Sequence, residues 1–162
     1  AILGHERDTL APPNTAQTRI NALVELMKTE TAGGERLIDN PIYKDRLMKI
    51  QGRVLAMKYN DMRVLSSRLN PGQDASLSRM ITKLQGTELR HEPEGLAIDI
   101  MGEVGLSYDD NPHLRGAGSW QREYMYYLGL IIGGGTSQIQ KNIISERGLG
   151  MPREPKIEKK AV

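Results

Sequence analysis

Three consecutive glycines at 133–135 are followed by Thr136, Ser137 and, three residues after that serine, Gln140. The glycines directly follow an apolar run at 124–132. A glycine turn here can begin a helix that is capped by the hydroxyl of Thr136 or Ser137, and Ser137 with Gln140 fits the reciprocal capping pattern. The first N–H groups of a helix have no partner within it and lie at the positive end of its dipole. The turn therefore predicts an anion-binding site, with a plain turn between packed helices as the alternative.

Two segments resemble motifs of the acyl-CoA dehydrogenases, flavoenzymes that use FAD to desaturate acyl-CoA thioesters between the α and β carbons. Residues 134–147, with 148–153 after them, resemble the family's C-terminal signature. Residues 99–105 resemble its Gln-x-x-Gly-Gly-x-Gly turn, with Asp99 in place of the Gln and Glu103 in place of the second Gly. The resemblance extends from residue 3 to residue 153 but covers only the last domain of the family.

The resemblance implies FAD as the cofactor, an acyl-CoA as the substrate and an electron-transfer flavoprotein as the reoxidant. It also implies a dimer or tetramer of identical or different subunits. Gly135 would contact the substrate thioester through its backbone. The residues that would contact FAD are Thr136, Ser137 and Gln138 and, towards the adenine or pyrophosphate end of a neighbouring subunit's FAD, Asp99, Ile100, Met101, Gly102 and Glu103.

Three departures from the family pattern concern the chemistry. Asp99 and Glu103 would place two carboxylates near a pyrophosphate, which prefers donors and cations. The expected Arg-x-x-Phe-Gly motif is replaced by residues 28–34. Gly134 occupies the position at which many members carry the Glu that removes the α-proton, and glycine has no side chain to do so.

Other members carry the base in a Glu-Arg pair on an early helix of this domain, and Glu6-Arg7 matches that pattern. Glu6 is therefore the catalytic candidate. A carboxylate suits this task when a dry pocket raises its pKa toward neutrality. The alternative is that Glu6 belongs to a solvated first turn of a helix, where acidic residues are favoured.

Composition narrows the function classes. The 162 residues carry a net charge of +2, one Trp and no Phe, which argues against a nucleic-acid partner. The absence of cysteine excludes disulfides and suits a cytoplasmic location. No segment approaches the roughly 18 apolar residues of a membrane span. The histidines lack the spacing of a metal site; they are His5, His91 and His113.

Helical periodicity predicts the elements that position these residues. An apolar stripe predicts a first helix that ends at Gly33-Gly34, and Asn40-Pro41 predicts the start of one long helix that continues to Leu69. A third helix would carry Lys83 on its solvated side, and Pro93 would kink it or open a new helix. A segment at 120–132 then enters the glycine turn, and a last helix spans about 137–147.

These elements predict an all-α fold, an antiparallel four-helix-bundle-like domain of the kind that the resemblance implies. Residues 1–150 would form this domain and residues 151–162 a mobile charged tail. The chain begins at Ala1, which fits a piece of a longer protein.

Two functions remain. The first is the C-terminal domain of an acyl-CoA dehydrogenase, and the second is a non-catalytic assembly subunit of a mixed oligomer. The isolated chain is expected to fold, to self-associate through its long helices, to bind FAD weakly or not at all, and to be inactive.

Overall fold

The computed structural model describes residues 13–70, 72–108, 111–153 and 155. Over these residues the chain forms four long helices, α1 (Pro13–Thr29), α2 (Pro41–Leu69), α3 (Ser76–Met101) and α4 (Ser119–Ile132), and a short fifth, α5 (Ser137–Ile143). Two 3-10 segments, Gly102–Leu106 and Arg115–Gly118, lie between α3 and α4. The predicted all-α, bundle-like fold is confirmed. No helix in the described ranges is both long and apolar enough to cross a membrane.

Helix α2 begins where its capping sequence predicts. The side chain of Asn40 accepts a hydrogen bond from the backbone N–H of Ile42 at 3.0 Å, and Pro41 occupies the first helical position, where its missing N–H costs nothing. From this start, α2 continues without interruption to Leu69.

Helix α3 is the centre of the bundle, since it contacts α1, α2, α4 and α5. It is antiparallel to α2, because Arg46 near the start of α2 pairs with Asp99 at the end of α3, and Asn60 further along α2 donates to the carbonyl of Ser78. The core side chains that α3 contributes are completely or almost completely buried and include Leu89, Leu96, Ala97, Ile100 and Met101.

The central position of α3 overturns one prediction about its surface. Lys83, predicted on the solvated side, is only 1% exposed. A helix with neighbours on several sides has little solvated face, so its polar side chains must find partners inside the protein. Helix α3 also continues through Pro93 as one helix, so of the two alternatives predicted there, a kink or a new helix, the second does not occur.

The first and last helices end earlier than predicted. Helix α1 ends at Thr29, and Gly33 and Gly34 instead form the turn of a small antiparallel hairpin between β1 (Thr31–Ala32) and β2 (Glu35–Arg36). Both glycines have positive φ, which a turn of this kind requires. Helix α5 stops at Ile143, and one π-helical turn, Ile144–Gly148, completes the predicted span.

One face of the far half of α2 is exposed in the part of the chain that the structure describes. Apolar residues at helical spacing are buried at Leu47, Ile50 and Val54, whereas Leu65 further along the helix is 57% exposed. Helix α1 has 17 residues and α2 has 29, so α1 is too short to cover all of α2. The exposed apolar side chains of this half, called the α2 stripe below, are Leu55, Tyr59, Met62, Leu65 and Leu69.

Candidate functional site

The glycine turn has the backbone conformation that its sequence predicts. Gly134 and Gly135 have φ angles of 65° and 105°, in the left-handed region that side chains other than glycine rarely adopt. The amide of Gly133 donates to the carbonyl of Gly129 at 2.8 Å, and the amide of Gly135 donates to that of Ile132 at 3.2 Å. Two carbonyl groups at the end of α4 thus accept hydrogen bonds from amides of the glycine turn.

The capping prediction is confirmed for one of its two candidates. Thr136 caps α5, and its hydroxyl oxygen accepts from the amide of Ile139 at 3.4 Å. The reciprocal Ser137–Gln140 pair does not form. Ser137 donates instead to Glu88 of α3 at 3.1 Å, and the amide nitrogen of Gln140 donates to the carbonyl of Gly134 at 3.0 Å.

The turn is held from inside the protein by Lys83. Its ammonium group donates to the carbonyl of Ile131 at 2.8 Å and to that of Gly135 at 2.6 Å. The first carbonyl belongs to the last turn of α4, where unpaired carbonyls and the negative end of the helix dipole favour a cation. Gln140, 2% exposed, also holds the turn, since its amide nitrogen donates to the carbonyls of Gly134 at 3.0 Å and Gly135 at 3.5 Å.

Neither of these turn-holding residues is predicted from the sequence pattern. Lysines are seldom buried, so the pattern places Lys83 on the surface, and it indicates Gln140 only as a capping partner. The sequence does contain an indication that Lys83 is buried, because Lys83 follows Met80 by three residues and so lies beside the apolar face of α3.

The residues that the resemblance links to FAD at the turn differ in accessibility. Thr136 and Gln138 are exposed, whereas Ser137 is half-buried with its hydroxyl engaged by Glu88. Gly135, linked to the substrate thioester, has no side chain, and its carbonyl points to Lys83. A ligand at the turn would therefore contact backbone together with the side chains of Thr136 and Gln138.

The second predicted set lies where α3 ends. Asp99 forms an ion pair with Arg46 at 2.7 Å, so its negative charge is already partnered. Ile100 and Met101 are buried in the core, and Gly102 and Glu103 are exposed. Only Asp99, Gly102 and Glu103 of this set thus present side-chain or backbone atoms to the surface.

The two predicted sets are far apart within one chain. Lys83, which marks the turn, and Asp99 are separated by about 24 Å along α3 at 1.5 Å per residue. The chain therefore does not bring the two sets together around one small group. Glu6, the catalytic candidate, lies outside the described residues.

A groove of about 690 Å³ opens between α2 and α3 near Asp99. The ring of His91 stacks on that of Tyr124, with centroids 4.2 Å apart, and burial lowers the pKa of His91, although Glu92 opposes the shift. The charged groups that line the groove neutralise one another in part, as Arg46 pairs with Asp99 and Arg53 with Glu92.

Solved structures share the helical fold of this chain. One of them, described as "FAD complex of PigA", has 20% sequence identity and a TM-score of 0.68 over 84% of this chain and 33% of that chain, which shows a common fold. The ChsE4-ChsE5 complex from Mycobacterium tuberculosis has 27% identity and a TM-score of 0.73, over 88% of this chain and 37% of that one.

Residues 1–149 match the family described as acyl-CoA dehydrogenase, C-terminal domain. A relative from Mycobacterium tuberculosis (strain ATCC 25618 / H37Rv), "Acyl-CoA dehydrogenase IpdE1", is 31% identical over 160 residues, which cover 96% of this chain and 38% of the relative. The chain belongs to the acyl-CoA dehydrogenase family, as its C-terminal domain. It spans well under half the length of this relative.

Proposed function

We propose that this chain acts as the C-terminal domain of an FAD-dependent acyl-CoA dehydrogenase that introduces an α,β double bond into an acyl-CoA thioester. The observation that carries the proposal is family membership over residues 1–149 together with the turn and cap at Gly135 and Thr136. The domain contributes part of the FAD site, the oligomer interface and the catalytic base.

The turn fits a flavin and a thioester. Thr136 and Gln138 offer an exposed hydroxyl and an exposed amide, which are donors suited to the polar atoms of FAD. Gly134 and Gly135 carry no side chain, so a thioester can approach the backbone closely. Bound FAD would accept the hydride that leaves the β carbon. Ser137 contributes less through its side chain, because its hydroxyl already donates to Glu88.

The end of α3 fits the pyrophosphate of FAD poorly. Asp99 and Glu103 are acceptors, and Asp99 forms an ion pair with Arg46. A pyrophosphate at this end would have to compete with Asp99 for that guanidinium. We therefore assign no step to this segment, although Asp99, Ile100, Met101, Gly102 and Glu103 remain the proposed contact with a neighbouring subunit's FAD.

Glu6 is the proposed base that removes the α-proton, because the other position known in the family is Gly134. A base has to lie within hydrogen-bonding distance of the proton that it removes, either before the substrate binds or after the site closes on the substrate. The substitution Glu6→Gln keeps the size of the side chain and removes its basicity.

The experiment uses the full-length protein that contains this domain, with any partner it requires, under anaerobic conditions. Flavin absorbance is followed after addition of a panel of acyl-CoAs. We expect bleaching in the wild type, its loss in Glu6→Gln, and its retention in Glu25→Gln, a control at an exposed carboxylate of α1 that pairs only with Lys28 among the described ion pairs. Bleaching that survives Glu6→Gln moves the base to another residue or to a partner.

The alternative is a non-catalytic assembly subunit of a mixed acyl-CoA dehydrogenase oligomer. It is favoured by the missing acid at Gly134 and by the Asp99–Arg46 pair at the end of α3. The similarity to a structure described as a complex of two named proteins, ChsE4 and ChsE5, also supports a mixed oligomer. Flavin content of the full-length protein, purified alone and with a co-expressed relative, separates the two functions.

The remaining proposals concern the surroundings of the domain. An electron-transfer flavoprotein would reoxidise the flavin in the cytoplasm. The exposed α2 stripe is the proposed contact with another subunit, in a dimer or tetramer of like or unlike chains. The isolated chain is expected to be inactive, because it spans only 38% of its relative.

A further inference from the structure

We propose that Lys83 is a positioning residue that sets the conformation of the glycine turn and thereby the backbone that a thioester and a flavin would meet. The ligands named in this inference, a thioester and a flavin, rest on the proposed function. The effect of Lys83 on the turn does not, because it can be measured without any ligand.

Burying Lys83 is unfavourable unless its charge finds acceptors. Lys83 is 1% exposed, and a buried ammonium group loses its hydration, which only well-placed acceptors offset. An apolar side chain would fill the same space without that loss. Its acceptors include two backbone carbonyls, that of Ile131 in the last turn of α4 and that of Gly135, the last of the three glycines. The lysine therefore joins the end of α4 to the residue just before the cap of α5.

The contact with Lys83 also bears on the direction of one peptide group. In a trans peptide the C=O and the following N–H point in opposite directions, and the described residues contain no cis peptide bond. Because the carbonyl of Gly135 points to Lys83, the N–H of Thr136 points away from α3. The short contact with Lys83 thus helps to orient this peptide relative to the proposed ligand site.

Glycine cannot hold this conformation by itself. It populates positive and negative φ about equally, so a run of three has many accessible states. Gln140 donates to the carbonyl of Gly134 at 3.0 Å and, at 3.5 Å, to that of Gly135, and Glu88 accepts from Ser137. Lys83 makes the shorter contact with the carbonyl of Gly135, at 2.6 Å, and is therefore the stronger restraint on the peptide between Gly135 and Thr136.

The test compares Lys83→Met with the wild type in the full-length protein. Methionine keeps much of the length and apolar stem of lysine and removes the three donors. The first measurement is hydrogen–deuterium exchange of peptides that cover residues 133–140, and the second is the affinity for added FAD after flavin removal. We expect about tenfold or more faster exchange in that segment and about tenfold or more weaker FAD binding, since hydrogen bonds to a charged donor are lost.

The matched control is Arg19→Met, which removes another cation that is bonded to a buried group of α3, the carboxylate of Glu94. It should lower stability without loosening residues 133–140 and without weakening FAD binding. Equal loosening of residues 133–140 in both variants would overturn the inference, as would wild-type exchange in Lys83→Met.

Two further arms keep the result interpretable. If Lys83→Met does not fold, Lys83→Gln replaces it; this side chain is neutral and shorter by one atom, so it cannot place an ammonium group between the two carbonyls. The same local loosening is expected, and wild-type exchange refutes the inference. If the wild type binds no FAD alone or with a co-expressed relative, the proposed function fails, and the exchange measurement still decides the role of Lys83.

Discussion

The buried ion pair between α1 and α3 offers the sharpest test of the packing. Glu94 is 0% exposed, and its carboxylate accepts a hydrogen bond from Nε of Arg19 at 2.6 Å and a second from Nη2. The guanidinium also lies over the ring of Trp120, 3.8 Å from its centroid. Arg19→Met removes both interactions and leaves the carboxylate buried without its cation.

The expected loss is large. Removing one partner of a buried pair costs about 3 to 5 kcal/mol, because the remaining charge stays desolvated. In a chain of this size each kcal/mol lowers the melting temperature by about 2 to 4 °C, so a drop of roughly 6 to 20 °C is expected. Arg36→Met is the control. It breaks an exposed pair with Asp39, which is worth less than about 1 kcal/mol.

The loss should also depend on pH. Burial raises the pKa of Glu94, and Arg19 opposes that shift. A carboxyl whose pKa is raised by folding stabilises the fold below its unfolded pKa, and this contribution is lost as the pH rises through the folded pKa. Arg19→Met raises the folded pKa further, so its deficit should be greater at pH 8 than at pH 5.

The assay is thermal unfolding of the 162-residue chain, which we expect to fold by itself, followed by circular dichroism at both pH values. The double variant Arg19→Met/Glu94→Leu should recover much of the loss at pH 8, since no buried charge remains. A melting temperature of Arg19→Met equal to that of Arg36→Met would refute the argument. A deficit that does not change between pH 5 and pH 8 would refute its electrostatic part.

Two further predictions use matched substitutions. In Gly105→Ala the new methyl group would lie too close to the carbonyl oxygen of Ile98, so the variant should lose about 1 to 3 kcal/mol of stability. In Gly52→Ala, on α2, the new methyl group meets nothing within 4 Å, so this variant should gain about 0.5 to 1 kcal/mol. Thermal unfolding of the chain that ranks the two variants otherwise would contradict the packing. Met62→Glu, in the exposed α2 stripe, should shift the full-length protein to a smaller oligomer in analytical ultracentrifugation. Lys44→Glu on the same helix should not. Unchanged sedimentation of Met62→Glu would show that the α2 stripe is not part of the subunit interface.

Features that depend on neighbours in sequence could be predicted from the residues. The start of α2 follows from Asn40 and Pro41, because a cap acts on amides two or three positions away. The cap of α5 at Thr136 and the need for glycine at 134 and 135 are local in the same way. The family could also be predicted from the sequence, because its motifs are runs of residues in a fixed order and spacing.

Features that depend on which helices surround a residue could not be predicted in this way. Periodicity assigns a face to each side chain but does not tell how many faces of a helix are covered. Helix α3 is covered by several neighbours, so Lys83 is buried, whereas α2 extends beyond α1, so Leu65 is exposed.

In the candidate site, too, some features could be predicted from the sequence and others could not. The residue types at the turn and at the end of α3 came from the sequence, as did the departures at Asp99 and Glu103. Only the tertiary structure showed that Asp99 is paired with Arg46 and that Lys83 and Gln140 hold the turn. These contacts join residues on different elements, and the free energy of such a contact depends on burial and on distances between atoms that the order of residues alone does not specify.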